Sequence, residues 1–257
     1  MKVDMSNVTL VTVDMSCHEL TGLAIEDCKE HAVFGDIKVF TNTRDMLHGE
    51  YVEGLSTANY FDFSLYKLPY MINTKHLLWI HWDSWIIDPG MWRKEFLDYD
   101  YIGAPWWYRD GMNVGNSGFC IRSVNLMRYI AEHKDQYAFS LKSAEDHNLC
   151  RVYRQRLTEA GFTWAPEATA ADFAFERARA SLSSRHFGFH GVFNWPFVLP
   201  PNRLATRLDM ARKNKYISSS GQLGEVDNLF AAMWRKLNIG HNIYRSEDTG
   251  VRNGTTD

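Results

Sequence analysis

Cysteine is scarce and scattered. Cys17, Cys28, Cys120 and Cys150 are the four in 257 residues, and no two share a C-x-x-C spacing. That pattern argues against a zinc ribbon, a redox pair or a disulfide framework, and reduced thiols in an apolar core are expected instead. Long apolar runs are missing too. None reaches the roughly 18 residues of a membrane-spanning helix. The first residues lack a charged-then-apolar leader, which predicts a soluble, cytoplasmic protein. Charge of one sign is also lacking: 28 Lys and Arg against 31 Asp and Glu leave a net −3, which points to no nucleic-acid partner. Neither G-x-G-x-x-G nor G-x-x-x-x-G-K-[ST] occurs, which argues against a dinucleotide dehydrogenase or a P-loop enzyme. The sequence contains no internal repeat and no low-complexity tract.

Aromatic side chains are in excess, at 14% of residues, enough for a thick core or for a cleft that stacks sugars and bases. The rest of the chain is organised around residues 76–106, HLLWIHWDSWIIDPGMWRKEFLDYDYIGAPW. The apolar run 77–82 is too short for a long helix, is rich in strand formers and stops abruptly at Asp83. A buried strand with a carboxylate at its carboxyl end lies where open α/β sheets bind ligands. Asp83, with His81 two residues earlier, is therefore the expected centre of a site. Asp88 and Pro89 predict a helix start, with Trp92 and Phe96 on the buried face, and residues 101–103 open the next strand.

Residues 8–13 (VTLVTV) read as a central buried strand ended by Asp14. Ser16 and Glu19 fit a capping box for a helix with Leu20, Leu23, Ala24 and Cys28 on one face. Gly35 precedes a second strand, 37–40, ending in Thr41 and Asn42, and this β–α–β opening implies parallel strands with a right-handed crossover. Residues 60–73 predict a helix, and 119–121 a strand leading into a helix that carries Leu126, Met127 and Ile130. Ser143, Glu145 and Asp146 open another, which buries Leu149, Val152, Tyr153 and Leu157 and closes at Gly161. Beyond Pro200-Pro201 the character changes. Arg203, Arg207, Arg212, Lys213 and Lys215 accompany a single Asp209, and Val226, Leu229, Phe230, Met233, Trp234 and Leu237 form a helical stripe. The expected units are a domain over 1–200, a helical extension over 201–245 and a disordered tail over 246–257.

Taken in order, HWDSWIIDP, FLDYDYIGAPW, GNSGFCIRS, SAEDHNLC, WAPEATAADFAFE and FGFHG resemble segments of GT-A glycosyltransferases, in particular a bacterial and viral group of glycosyltransferase-like domains of largely unknown function. The resemblance spans residues 8–195, about three quarters of the chain. It implies an α/β, Rossmann-like fold with a mixed, mostly parallel central sheet flanked by helices, the carboxyl-terminal helices forming an extension. It also implies a nucleotide-sugar donor, a glycan or other hydroxyl acceptor and a divalent metal.

Under this resemblance Asp83 stands where the family places a D-x-D motif, holding a divalent ion against the nucleotide diphosphate and offsetting its charge, with Ser84 beside it. The chain departs from that motif in reading His81-x-Asp83-Ser84. An imidazole in place of a carboxylate suits Mn²⁺ better than Mg²⁺. Residues two apart in a strand face the same way, which favours a shared site; the plainer alternative has His81 facing away and Asp83 capping a turn. His190 in FGFHG resembles the late histidine that completes the metal ligands, with a hydrogen-bonded core histidine as the alternative. Glu145 and Asp146 resemble the acidic pair of inverting enzymes, Asp146 as general base and Glu145 binding acceptor or donor sugar. Acids in a first helical turn also serve stability alone. Gly115, Asn116, Ser117 and Gly118 resemble the turn that lines the donor-sugar pocket, or make a simple strand entry. Trp106, Trp107 and Tyr108 suit stacking on a sugar or a lid. Thr12, Val13 and Asp14 fall where the nucleotide base rests in this fold, with Thr41 and Asn42 at the same end; for Asp14 a helix-entry turn is the alternative.

A base candidate without a dedicated nucleophile points to inversion at the anomeric carbon. Two other readings compete: a GT-A-shaped carbohydrate-binding module without catalysis, favoured by the incomplete D-x-D, and a metal-dependent hydrolase or nucleotidyltransferase. The carboxyl-terminal stripe predicts a core cap, with a homo-oligomer contact or a peripheral membrane surface as alternatives.

Overall fold

Residues 76–80 form a strand because both of its faces are covered: Leu78 and Ile80 enter one core, Leu77 and Trp79 the other. The computed structural model describes residues 2–137, 139, 144–177 and 185–228. The strands described are β1 (Val3–Asp14), β2 (Ala32–Thr41), β3 (Glu50–Tyr51), β4 (His76–Ile80), β5 (Trp85–Ile86), β6 (Tyr101–Gly103), β7 (Phe119–Ser123), β8 (Ala174–Phe175) and β9 (Gly188–Phe189). Six of them make the central sheet, in the order β3-β2-β1-β4-β7-β6, while β5, β9 and β8 make a small second sheet. β3, β2, β1 and β4 pair in parallel, and β7 runs antiparallel between β4 and β6. This is the mixed, mostly parallel α/β sheet expected from the sequence. One face carries α1 (His18–His31), the small sheet and the carboxyl-terminal helices; the other carries α2 (Val124–Glu132) and the segment with Leu149 and Leu157. All four cysteines are buried free thiols.

Local differences from the sequence reading have local causes. β2 begins directly after α1, so Gly35 lies inside it. The β1–β2 register shifts between Met5 and Thr9, and a Cβ on Gly35 would stand 2.1 Å from the Ser6 carbonyl oxygen. No side chain caps α1 from its N-cap residue, Cys17, so the Ser16–Glu19 capping box does not form. Asp14 accepts from the backbone N–H groups of Ser16 (3.1 Å) and Cys17 (2.8 Å) instead. After Asp88, which accepts from Gly90 N–H at 3.0 Å, the chain makes two short 3-10 turns, Pro89–Met91 and Lys94–Asp98, rather than one helix. Trp92 between them is extended, and its ring packs on Phe96 and Phe187 with centroids 5.7 and 5.1 Å apart. Residues 60–73 form a π-turn, Asp62–Lys67, and a 3-10 turn, Leu68–Met71, the switch coming at Pro69, which has no N–H to donate.

The helix expected from Ser143, which itself lies outside the described residues, is broken into Glu145–His147, a π-turn over Asn148–Val152, and Arg154–Glu159. The wider π-turn changes the helical phase. Leu149 and Leu157 stay buried, whereas Val152, expected in the core, is 56% exposed. The helix Pro201–Lys213 lies on α1, where Arg203 and Arg207 both pair with Asp27, and the buried Arg207 guanidinium also sits 4.2 Å from the Trp85 ring centroid. Leu208, Ala211, Ile217, Leu223 and Val226 join the core on that face. The remainder of the expected stripe, Leu229, Phe230, Met233, Trp234 and Leu237, and the tail over 246–257 lie outside the described residues. Among the described residues no helix is long and apolar enough to cross a membrane.

Candidate functional site

Three strand registers assemble the site. β7 runs antiparallel to β4 with Phe119 opposite Ile80, so Gly118, just before β7, meets His81, just after β4. The His81 N–H donates to the Gly118 carbonyl at 3.0 Å, and the Ser84 hydroxyl donates to the same oxygen at 2.5 Å. β5 pairs with β9 with Trp85 opposite Phe189, which delivers His190 beside Asp83 and Ser84. β8 runs parallel to β9 with Phe175 opposite Phe189, so Glu176 emerges next to His190. Gly118 permits this closure: a Cβ there would stand 2.0 Å from the His190 ring. Asn116, at φ +68°, turns the loop, its side-chain oxygen accepting from the N–H groups of Gly118 (2.9 Å) and Phe119 (3.3 Å).

One ligand atom each from His81, Asp83 and His190 lies within 4.8 Å of the others, so these residues form a group able to hold a divalent cation. The fit is chemical as well as geometric. Asp83 is 4% exposed, and its Oδ1 accepts no hydrogen bond, with His190 Nε2 at 3.5 Å. A buried carboxylate oxygen without a hydrogen bond calls for a cation, and both the protonated His190 ring beside it and a bound metal ion answer that need. Burial, reinforced by His190, depresses His81 to about 4, which leaves it a neutral imidazole suited to ligation. Burial alone would lower His190 as well, but Asp83 and Glu176 outweigh it and raise it to about 10. Burial opposes the charged form of Asp83, yet His190 and His81 bring its carboxyl below the usual value. Among imidazole and carboxylate ligands, two histidines and one aspartate favour a metal softer than Mg²⁺.

The cluster adjoins a cleft of about 640 Å³, and His81 and Trp82 belong to its wall. Val13, Asp14 and Asn42 line it too, whereas Thr12 and Thr41 are buried and outside its wall. β2 and β4 flank β1, so Asn42, just after β2, and His81, just after β4, lie on opposite sides of Val13 and Asp14 in the cleft wall. Asp14 forms the helix-entry turn, and its second carboxylate oxygen meets His18 Nδ1 at 2.7 Å. Ser117 and Glu145 line the cleft as well. The Glu145 carboxylate is held by both terminal nitrogens of the buried Arg122, at 2.5 and 3.0 Å. Burial raises its carboxyl and Arg122 pulls it back, and the two-pronged contact favours the anion. Asp146, half-buried, accepts from Ser117 N–H at 3.0 Å and His147 N–H at 2.8 Å, one bond on each oxygen. Trp106 is buried, with its ring where a Cβ on Gly115 would be, and Trp107 is 62% exposed.

Four residues here have no role in the sequence reading: Glu176, Arg122, Tyr60 and Tyr216. Tyr60 and Tyr216 line the cleft, the latter brought there by Asn214, whose side-chain amide donates to the Ser16 carbonyl at 2.7 Å. Glu176 carries a local signal, an acid directly after a short apolar strand in DFAFE. The others depend on contacts between distant segments.

Three solved glycosyltransferases are similar to this chain. The galactosyltransferase LgtC, solved with donor and acceptor sugar analogues, matches over 80% of this chain and 96% of its own, with a TM-score of 0.44 and 11% identity. The apo glycosyltransferase GlyE of Streptococcus pneumoniae TIGR4 matches over 80% of this chain and 51% of its own, with a TM-score of 0.39 and 9% identity. A glycosyltransferase involved in glycosylation of the major capsid of PBCV-1 matches over 79% and 98%, with a TM-score of 0.37 and 11% identity. Likenesses this distant transfer no chemistry. No curated protein sequence matches the chain. Residues 47–190 match the sequence model of the family described as Protein of unknown function (DUF5672), and the chain belongs to that family.

Proposed function

We propose that this protein is a glycosyltransferase that moves a sugar from a nucleotide-activated donor to a hydroxyl acceptor with inversion. The observation that carries this reading is the His81, Asp83 and His190 cluster, with a buried carboxylate oxygen that accepts no hydrogen bond, beside a cleft that Ser117 also lines. Those three residues would hold a divalent ion, Mn²⁺ in preference to Mg²⁺, which would supply charge compensation for a departing nucleoside diphosphate. The wall from Val13 and Asp14 to Asn42 suits the base end of the donor, and Ser117, in the glycine-flanked turn, suits the sugar. Asp146, tied to Ser117 by its Oδ2, keeps a lone pair on each oxygen to take the acceptor proton. As the acceptor oxygen bonds the anomeric carbon, the bond to the diphosphate oxygen breaks and its electron pair leaves with the nucleoside diphosphate. Glu145, fixed by Arg122, offers acceptor oxygens to sugar hydroxyls at the cleft wall.

Thermal unfolding with a panel of nucleotide sugars, with and without Mn²⁺, tests the proposal. A ligand at a hundred times its Kd stabilises by about 2.7 kcal/mol, so Mn²⁺-dependent protection and slow donor hydrolysis are expected. A chain that ignores every nucleotide in the presence of Mn²⁺ is not this enzyme.

A further inference from the structure

We infer that Glu176 is a positioning residue that selects the metal-binding tautomer of His190. This rests on the metal reading above and goes beyond it. His190 Nδ1 has two neighbours with opposite demands: Glu176 Oε1 at 3.1 Å, which can only accept, and Asn116 Nδ2 at 3.1 Å, which can only donate. The Asn116 oxygen is turned away, accepting from Gly118 and Phe119. If Nδ1 accepted from Asn116, the proton of a neutral imidazole would sit on Nε2, the nitrogen that faces Asp83 and the cation position. With Glu176 present, Nδ1 donates to the carboxylate, and the Nε2 lone pair is left for the metal.

Glu176 is held for this task. It follows β8 as His190 follows the parallel β9, and the Asn194 side-chain amide donates to both backbone carbonyls, Glu176 at 2.7 Å and His190 at 2.8 Å. Gly118 also packs against the imidazole. Glu176 would also steady a proton on Nε2, but a divalent ion carries twice that charge, so losing the carboxylate costs the metal more.

The test is Mn²⁺ affinity of the full chain, read from the free-ion paramagnetic resonance signal, alongside the metal-free melting temperature. Glu176→Ala should bind Mn²⁺ ~10–100-fold more weakly with little change in melting. Glu176→Gln, whose amide oxygen still accepts from Nδ1–H, should recover most of the affinity. Should Glu176→Ala not fold, Glu176→Met keeps the bulk without an acceptor and should show the same loss. Wild-type affinity in a folded Glu176→Ala or Glu176→Met protein overturns the role of Glu176 alone. A wild-type chain that does not bind Mn²⁺ overturns the metal reading itself.

Discussion

Asp146 accepts one backbone N–H on each carboxylate oxygen, from Ser117 and His147. In Asp146→Asn one of those N–H groups faces an amide nitrogen, so one hydrogen bond is lost, about 1 kcal/mol. Transfer should fall far more, by ~10²-fold or greater, the scale of general-base loss. Turnover of a nucleotide sugar with an accepted acceptor measures this, and retention of wild-type turnover removes Asp146 from the chemistry. Asp83→Ala makes a different prediction. It removes a buried carboxylate whose Oδ1 accepts no hydrogen bond but lies 3.5 Å from His190 Nε2, so the metal-free chain loses that ion pair, and His190 can give up its proton in response. Mn²⁺-dependent binding of a nucleoside diphosphate should vanish by calorimetric titration, and unchanged affinity would place the cation elsewhere. At this scale the sequence singled out, among the residues that the structure brings together, those that follow strands or sit in a motif: Asp83, His190, Asn116. Glu176 meets His190 through strand register, and Arg122 meets Glu145 across 23 residues of sequence, neither of which local pattern encodes.

The elements tell the same story in another form. β1 and β4 are legible because short apolar runs rich in strand formers, each stopped by an aspartate, are too short for helices and fit buried strands. The two-residue strands β5, β8 and β9, which carry His190 and Glu176 to the site, are too short to leave a periodicity. The π-turn after His147 is likewise invisible, and it moves Val152 to solvent. Two substitutions test how these pieces hold the site. Gly118→Ala puts a Cβ where the His190 ring lies, with no flexible chain end to yield. It should cost Mn²⁺ binding by the resonance assay while circular dichroism still reports a folded chain; normal affinity would mean that His190 is not a ligand. Glu145→Gln breaks a pair in which Arg122 is 1% exposed and Glu145 8% exposed. A buried charge left without its partner costs about 3–5 kcal/mol. Chemical denaturation should show a loss near that size, several times that of Asp146→Asn. A loss below 1 kcal/mol would mean that the Glu145 carboxylate stands in water, free to bind a ligand.

For the whole molecule, the open question is whether the carboxyl-terminal segment completes the core or serves a partner. Arg207 is 2% exposed and shares Asp27 with Arg203, across 176 and 180 residues of sequence. Leu208, Ala211, Ile217 and Val226 bury beside α1 and the small sheet that carries His190. The same segment reaches the cleft, since Asn214 bonds the Ser16 carbonyl and Tyr216 lines the wall. Ending the chain at Pro200 would expose that apolar face and leave Asp27, 3% exposed, with its two arginines gone. Such a truncation should be insoluble or molten; a soluble, monomeric remnant that keeps its activity would assign the segment to a partner instead. Membrane docking through the basic cluster has less to work with than the composition suggests. Arg203 and Arg207 are spent on Asp27, Arg212 pairs with Asp227 at 2.9 Å and Lys213 with Asp209 at 2.6 Å. Exposed pairs of this kind neutralise a surface without adding much stability. The intact chain should therefore not float with anionic vesicles at low salt. Flotation that vanishes as salt rises would show that these pairs open to a lipid headgroup and that the extension is a membrane-facing element.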